Sequence, residues 1–242
     1  MSQHPIVIIG AHGGVGEELA RLLADQGQPL ILTSTDADNL KDLSSDTVKT
    51  LSLEIGSDQM SDQLDKLNEA CGDGVSGLVY AVGSIDLKPL KAAKAQDFLD
   101  SYELNVLGFV QILKTLEAKL KSPNASVVGF STVASSRGFA NHSIIASAKG
   151  ALEGLYLSLA AEWAPKVRFN VVALSLTDTP LASRLLSSDA MKTAIEKSHP
   201  MARIGTPSDA ASAAEFLLSP KASWITAEIL HVDGGRSAIA GK

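Results

Sequence analysis

Seven short apolar runs divide the chain, at residues 5–10, 29–34, 48–53, 77–82, 125–131, 167–174 and 228–232. They are rich in Val, Ile and Leu and do not alternate with polar residues, the pattern of strands buried on both faces. Between them, apolar residues recur at helical spacing over 14–26, 36–43, 57–70, 95–121, 143–164, 181–198 and 208–218. Strand and helix in alternation predict right-handed crossovers, hence an α/β fold in which a parallel sheet lies between two layers of helices. No internal repeat, low-complexity stretch or linker interrupts the pattern, so residues 1–242 are expected to form one domain.

Two of the helical segments are apolar almost all round. Tyr102, Leu104, Val106, Leu107, Phe109, Val110, Ile112, Leu113 and Leu116 nearly encircle the first, and Leu152, Leu155, Tyr156, Leu157, Leu159 and Trp163 cover much of the second. A helix that is hydrophobic all round is buried. One face beyond the sheet is therefore expected to meet a second copy of the chain, with Tyr156 in that contact, in a homodimer or homotetramer.

Composition narrows the classes. With 45% hydrophobic residues over 242 positions the chain can bury a sizeable core without disulfides or metals. A net charge of −6 and the lack of any Lys/Arg run argue against nucleic acid as a partner. Cys71 stands alone, so neither an internal disulfide nor a cysteine metal cluster can form, and a reducing compartment is expected. The start, Met1 to Pro5, leads into a strand without a basic and apolar leader, and no apolar run approaches the roughly 20 residues that span a bilayer. A soluble cytoplasmic protein without a membrane partner is the expectation.

The first strand–helix junction carries a glycine turn: Gly10, Ala11, His12, Gly13, Gly14, Val15, Gly16. Glycine lets backbone approach a pyrophosphate closely, and a helix N-terminus offers unpaired N–H groups and the positive end of its dipole. The position of this turn directly after the first strand makes dinucleotide binding a better reading than an ordinary tight turn.

The G-x-x-x-G-x-G spacing of Gly10, Gly14 and Gly16 resembles that of the short-chain dehydrogenase/reductase family. The resemblance extends over essentially the whole chain, through Glu54-Ile55, Tyr80-Ala81-Val82-Gly83, Asn105, Lys149, the segment 201–207 and the segment 231–235. It implies a Rossmann-type doubly wound parallel sheet of about seven strands in the order 3-2-1-4-5-6-7. It also implies a nicotinamide dinucleotide held by the glycine turn, with Glu54 and Ile55 near the adenine and Ala81, Val82 and Gly83 alongside.

The same resemblance assigns the catalytic segment. Lys149 takes the place of the lysine that binds the nicotinamide ribose, and Asn105 that of the active-site asparagine. The carbonyl-polarising hydroxyl falls on Thr132, with Ser131 as its neighbour. The family's proton-donating tyrosine, four residues before the lysine, falls on Ile145, which has no proton to give. Imidazole titrates near neutrality, which makes His142, three residues before Ile145, a substitute donor. Thr177 and Thr179 resemble the loop that grips the nicotinamide carboxamide, although Leu174 and Ser175 replace its Pro-Gly; they are also placed to cap the next helix.

NADP is favoured over NAD. The place of an NAD-selecting acid holds Ser34, followed by Thr35, and both can hydrogen-bond a 2′-phosphate, with His12 adding partial charge; Asp36 reads as a helix cap. The segment 181–202 is expected to form a lid over a partly hydrophobic small-molecule substrate, with Leu185, Leu186 and Met191 as its apolar contacts. Three functions compete: hydride exchange with a carbonyl or alcohol under weakened proton donation, an inactive cofactor-binding sensor or oligomer partner, and reduction of a polarised C=C bond.

Overall fold

Side chains on a strand alternate between faces, and here both faces are apolar. In β1 (Ile6–Ile9), Val7 and Ile9 enter one hydrophobic core and Ile6 and Ile8 the other. In β6 (Val167–Leu174), Phe169 and Val171 face the first core and Val172 the second. This double burial explains the unbroken Val/Ile/Leu runs. The computed structural model of the protein describes residues 4–120 and 124–240. Its remaining strands are β2 (Leu30–Ser34), β3 (Val48–Ser52), β4 (Gly77–Tyr80), β5 (Ala125–Thr132) and β7 (Ile229–Val232). All pair in parallel, in the order β3-β2-β1-β4-β5-β6-β7 expected from the resemblance.

The first core lies under α2 (Met60–Ala70), α4 (Gly108–Leu120) and α5 (Ser143–Trp163), through Leu67, Phe109, Ile112, Leu116, Leu152 and Tyr156. The second lies under α1 (Gly14–Asp25) and α7 (Pro207–Leu218), through Leu19, Leu23, Ala210, Ala214 and Leu217. β1 sits between β2 and β4, so the chain reverses its direction of winding there. Helices diverge from that point and leave a crevice beyond the carboxyl ends of β1 and β4, where open α/β sheets bind ligands.

Five expectations need correction. The helix expected over 95–121 is broken into α3 (Ala95–Tyr102), a wide π turn (Glu103–Leu107) and α4, while Lys121 lies outside the described residues. The cause is tertiary. The Tyr80 hydroxyl donates to the Leu104 carbonyl at 2.5 Å, and the Asn105 amide donates to the Ser101 carbonyl at 2.8 Å, so side chains replace the regular ladder. Gly108 then passes so close to Ile55 that a Cβ would stand 2.4 Å from its side chain. The segments 36–43 and 181–198 are also not single α-helices: Ala37–Leu43 and Pro180–Leu186 are 3-10 turns, and only α6 (Asp189–Lys197) is α-helical.

Tyr156 does not reach a subunit contact. It is 2% exposed, stacks on Phe109 at 4.8 Å and meets Phe169 edge-on. Finally, α5 is by length and hydropathy apolar enough to cross a membrane, contrary to the sequence expectation. It carries Lys149 and Glu153, and Ile144, Ala148, Leu152 and Ala160 are buried inside the protein, as in a core helix.

Candidate active site

The turn from β1 into α1 is held by the neighbouring strand, since the N–H groups of Gly10 and Ala11 both donate to the Thr33 carbonyl, at 3.1 and 2.8 Å. Gly10 adopts φ +82°, a left-handed conformation that favours glycine. Gly16 is required by proximity: a Cβ would stand 2.1 Å from the Gly10 carbonyl oxygen. The helix therefore begins directly over the strand end. Its N-cap is Gly13, which has no capping side chain, so the first-turn amides are presented to whatever enters the crevice. The Gly13 N–H already donates to Glu17 at 3.1 Å, and Arg21 pairs with that carboxylate at 2.7 Å. Sequence reasoning did not find Glu17.

One cavity of about 840 Å³ runs from this turn across the carboxyl ends of the strands. Its wall includes Gly10, His12, Gly13, Gly14, Val15 and Gly16, then Ser34, Thr35, Glu54 and Ile55, then Ala81, Val82 and Gly83, and at the far end Thr177 and Thr179. Ser131, Thr132, His142, Ile145 and Lys149 stand on the same wall. Asp36 does not; its carboxylate accepts from the Asp38 N–H at 2.9 Å, as the capping reading expected. Thr179 makes no side-chain cap, and its methyl packs above Gly14, 3.2 Å from where a Cβ there would be.

Asn105 stands just behind the wall, fully buried within the π turn. Its Oδ1 has no hydrogen-bond partner. That oxygen and the Lys149 ammonium both lie 3.3 Å from the point a Cβ on Gly83 would occupy, so Gly83 is the gap that brings them into one niche. Burial lowers the Lys149 pKa to about 8, although the Glu153 carboxylate pulls it upward. Ile145, 6% exposed, lies one turn before Lys149 on the same helix and offers only hydrocarbon to the cavity.

The two candidate hydroxyls separate. Ser131 donates to Glu153 at 2.5 Å, and Ser135 donates to the same oxygen at 2.6 Å, so the Ser131 proton is engaged. The Thr132 oxygen accepts from the Ala134 N–H at 3.2 Å, which leaves its proton available to a ligand. His142 is half-buried; its Nδ1 lies 2.7 Å from the Ala140 carbonyl, and its ring is 5.5 Å from Phe139. The Arg236 guanidinium stands over the same Phe139 ring, 5.3 Å from its centre.

A hydroxyl–imidazole pair had no sequence signal beyond the departure at Ser175. Ser175 and His199 approach to 2.7 Å on the cavity wall, 24 residues apart in the chain. Of the expected lid contacts, Leu185 lines the cavity, joined by Leu181 and Ile195, whereas Leu186 does not and Met191 is 48% exposed on the outer surface.

Residues 10–237 match the profile of a family described as Enoyl-(Acyl carrier protein) reductase. The chain is 30% identical over 234 residues to 3-oxoacyl-(acyl-carrier-protein) reductase FabG of Vibrio cholerae, covering 95% of each chain. Among solved structures it resembles a short-chain dehydrogenase/reductase, glucose/ribitol dehydrogenase, from Brucella melitensis, with TM-score 0.89, 30% identity and coverage of 98% and 97%. It also resembles ElxO solved as a tyrosine-to-phenylalanine variant with NADPH bound, with TM-score 0.87, 25% identity and coverage of 98% and 100%.

Proposed function

The chain belongs to the short-chain dehydrogenase/reductase family, and we propose that it exchanges a hydride between NADP(H) and the carbonyl or alcohol carbon of a small, partly hydrophobic molecule. The observation that carries this reading is that the glycine turn and the buried Lys149 line one cavity, with the orphaned Asn105 Oδ1 just behind its wall at Gly83. A buried polar oxygen without a partner is costly unless something supplies a hydrogen bond. The niche at Gly83 is where a ribose hydroxyl or an ordered water would do so.

When bound, the dinucleotide would supply or accept the hydride. The amides of Gly14, Val15 and Gly16 would hold its pyrophosphate, and Lys149 the nicotinamide ribose. Glu54, Ile55, Ala81 and Val82 would enclose the adenine end, and Thr177 and Thr179 would meet the carboxamide. Ser34 and Thr35 can donate to a 2′-phosphate without repelling it, Asp36 is turned away in its cap, and the Glu17 charge is offset by Arg21. The NADPH in ElxO supports the same choice.

On the substrate side, Thr132 would donate to the carbonyl oxygen. Ile145 removes the phenol that would otherwise complete the proton transfer, and loss of one placed acid costs about 10²–10⁴-fold in rate. His142 and water are the donors the sequence leaves. Exposed Leu99, Tyr102, Leu107 and Leu157 on α3 to α5 form the face proposed to bury against a second copy, which the mass in solution tests.

Calorimetric titration with NADPH and then NADH tests the cofactor reading; NADPH is expected to bind more tightly. Ile145→Tyr is then expected to raise carbonyl reduction by about 10²–10⁴-fold, with cofactor affinity unchanged. Absence of binding by either dinucleotide refutes the reading. The apolar Ile145 also favours reduction of a polarised C=C bond, in which the proton goes to carbon. Turnover of an enone but not a ketone by the native protein would select that chemistry.

A further inference from the structure

His199 is 5% exposed and held by two contacts of different kinds. Its Nδ1 lies 2.8 Å from the Ile195 carbonyl, one turn back on α6. A carbonyl can only accept, so Nδ1 carries a proton in every state of the ring. In the neutral ring Nε2 is therefore an acceptor, and the Ser175 hydroxyl donates to it across 2.7 Å. When the ring is cationic Nε2 carries a proton as well. The bond then reverses, Ser175 becomes the acceptor, and its own proton is released for another partner.

That partner would lie in the cavity. Thr132 and Leu174 are register partners at the carboxyl ends of β5 and β6, and adjacent strands are about 4.8 Å apart. Ser175, the next residue, thus leaves the sheet beside the hydroxyl assigned to the substrate carbonyl. Ser175, His199, Thr132 and Ile145 all face the same space. We propose that the Ser175–His199 pair delivers the proton that Ile145 cannot, Ser175 as the catalytic donor and His199 as the group that charges it.

The inference rests on the reductase reading above. As the carbonyl carbon accepts a hydride, the C=O π pair moves to oxygen and takes the Ser175 proton. The Ser175 oxygen takes the Nε2 proton, leaving a neutral imidazole that solvent in the cavity reprotonates. Oxidation of an alcohol runs the same transfers in reverse and needs the neutral ring. The charged groups around His199 are Glu196 and Lys197 beside it on α6, and Arg203, Asp209 and Asp233 lining a small cavity behind it. Arg236, Lys149 and His142 stand across the main cavity. Asp209 is engaged by Arg203, and Asp233 by Gly235 and Ser237, while both ring nitrogens of His199 meet other partners, Ile195 and Ser175.

The test uses the full chain with NADPH and 2,3-butanedione, an activated diketone, after calorimetry has shown cofactor binding. Native reduction is expected to fall as pH rises, in step with loss of the Nε2 proton of His199 as read by nitrogen-15 NMR of the histidine rings. The same spectra should show Nδ1 protonated throughout. Ser175→Ala and His199→Gln are each expected to lower kcat by about 10²–10⁴-fold, with KM and NADPH affinity little changed. Ser175→Thr, which keeps the hydroxyl, should retain the pH profile. The proposal is overturned if Ser175→Ala keeps the native rate and profile, or if NADPH binds but native protein leaves the diketone unreduced. It is also overturned if His142→Asn alone removes the pH dependence, or if the neutral His199 ring is protonated at Nε2. Failure of NADPH to bind, by contrast, removes the reductase reading itself and this inference with it.

Discussion

Replacing Lys149 by Met should make the cofactor-free protein more stable. Lys149 is buried, and desolvation lowers its pKa from 10.5 to about 8. The unfolded chain therefore holds this proton more tightly than the folded one. At about 1.4 kcal/mol for each tenfold in proton affinity, the charged lysine costs the fold up to about 3 kcal/mol below pH 8. Between pH 8 and 10.5 the unfolded state binds more protons than the native state, so native stability rises with pH and the cost disappears. Methionine is of similar length and carries no charge. For a chain of this size about 1 kcal/mol shifts Tm by about 2–4 °C. Lys149→Met is therefore expected to raise Tm at pH 7 by up to about 10 °C, the advantage shrinking to nothing by pH 10.5. Thermal melts of both proteins across that range, without cofactor, measure it. NADPH titration of the same samples should show affinity reduced at least tenfold. A variant less stable than native at pH 7, or an advantage that does not fade with pH, refutes the argument that burial strains this charge.

Other outcomes follow from single contacts. The Tyr156 hydroxyl is buried without a partner, so Tyr156→Phe should be neutral or stabilising by about 1–2 kcal/mol in chemical denaturation. A loss above 1 kcal/mol would show that the hydroxyl is satisfied in solution. Gly16→Ala drives a Cβ against backbone that no rotamer change can move, and should cost about 1–3 kcal/mol or more together with NADPH binding. Asp209 accepts from Arg203 and caps α7 through Thr206, which holds its carboxyl well below the usual carboxylate range. Its contribution is full above the unfolded value of about 3.9 and is lost as pH falls through the lower native value. Asp209→Asn should thus cost about 1 kcal/mol at pH 7, since the pair is largely exposed, and flatten the acid limb of a Tm–pH curve.

The strands were legible because a sheet covered on both faces leaves no polar position to blur its runs, and the glycine turn because helix and strand meet there within a few residues. What escaped was set by distant partners. Nothing near Leu104 announces that a hydroxyl from Tyr80, 24 residues earlier, will take its carbonyl out of the helix. On α5 an apolar surface all round hides which way Tyr156 points, and only the packing of Phe109 and Phe169 decides it. Ser131 and Thr132 are adjacent and alike in sequence; Glu153 separates them by engaging the first. Ser175 was visible as a departure from the family pattern, but its meaning depended on His199 arriving from another element.

The π turn at Glu103–Leu107 has a consequence for how this chain can change in length. It holds one residue more than α-helical spacing requires, an insertion the helix has absorbed. Each residue of an α-helix advances the direction of its side chains by about 100°. Removing the extra residue would therefore restore an ordinary ladder with α3 and α4 still in their seats. Removing a residue from the middle of α4 would instead turn every later side chain by that angle, carrying Leu116 out of the core. The residue count of this helix can change at the wide turn, and not within α4.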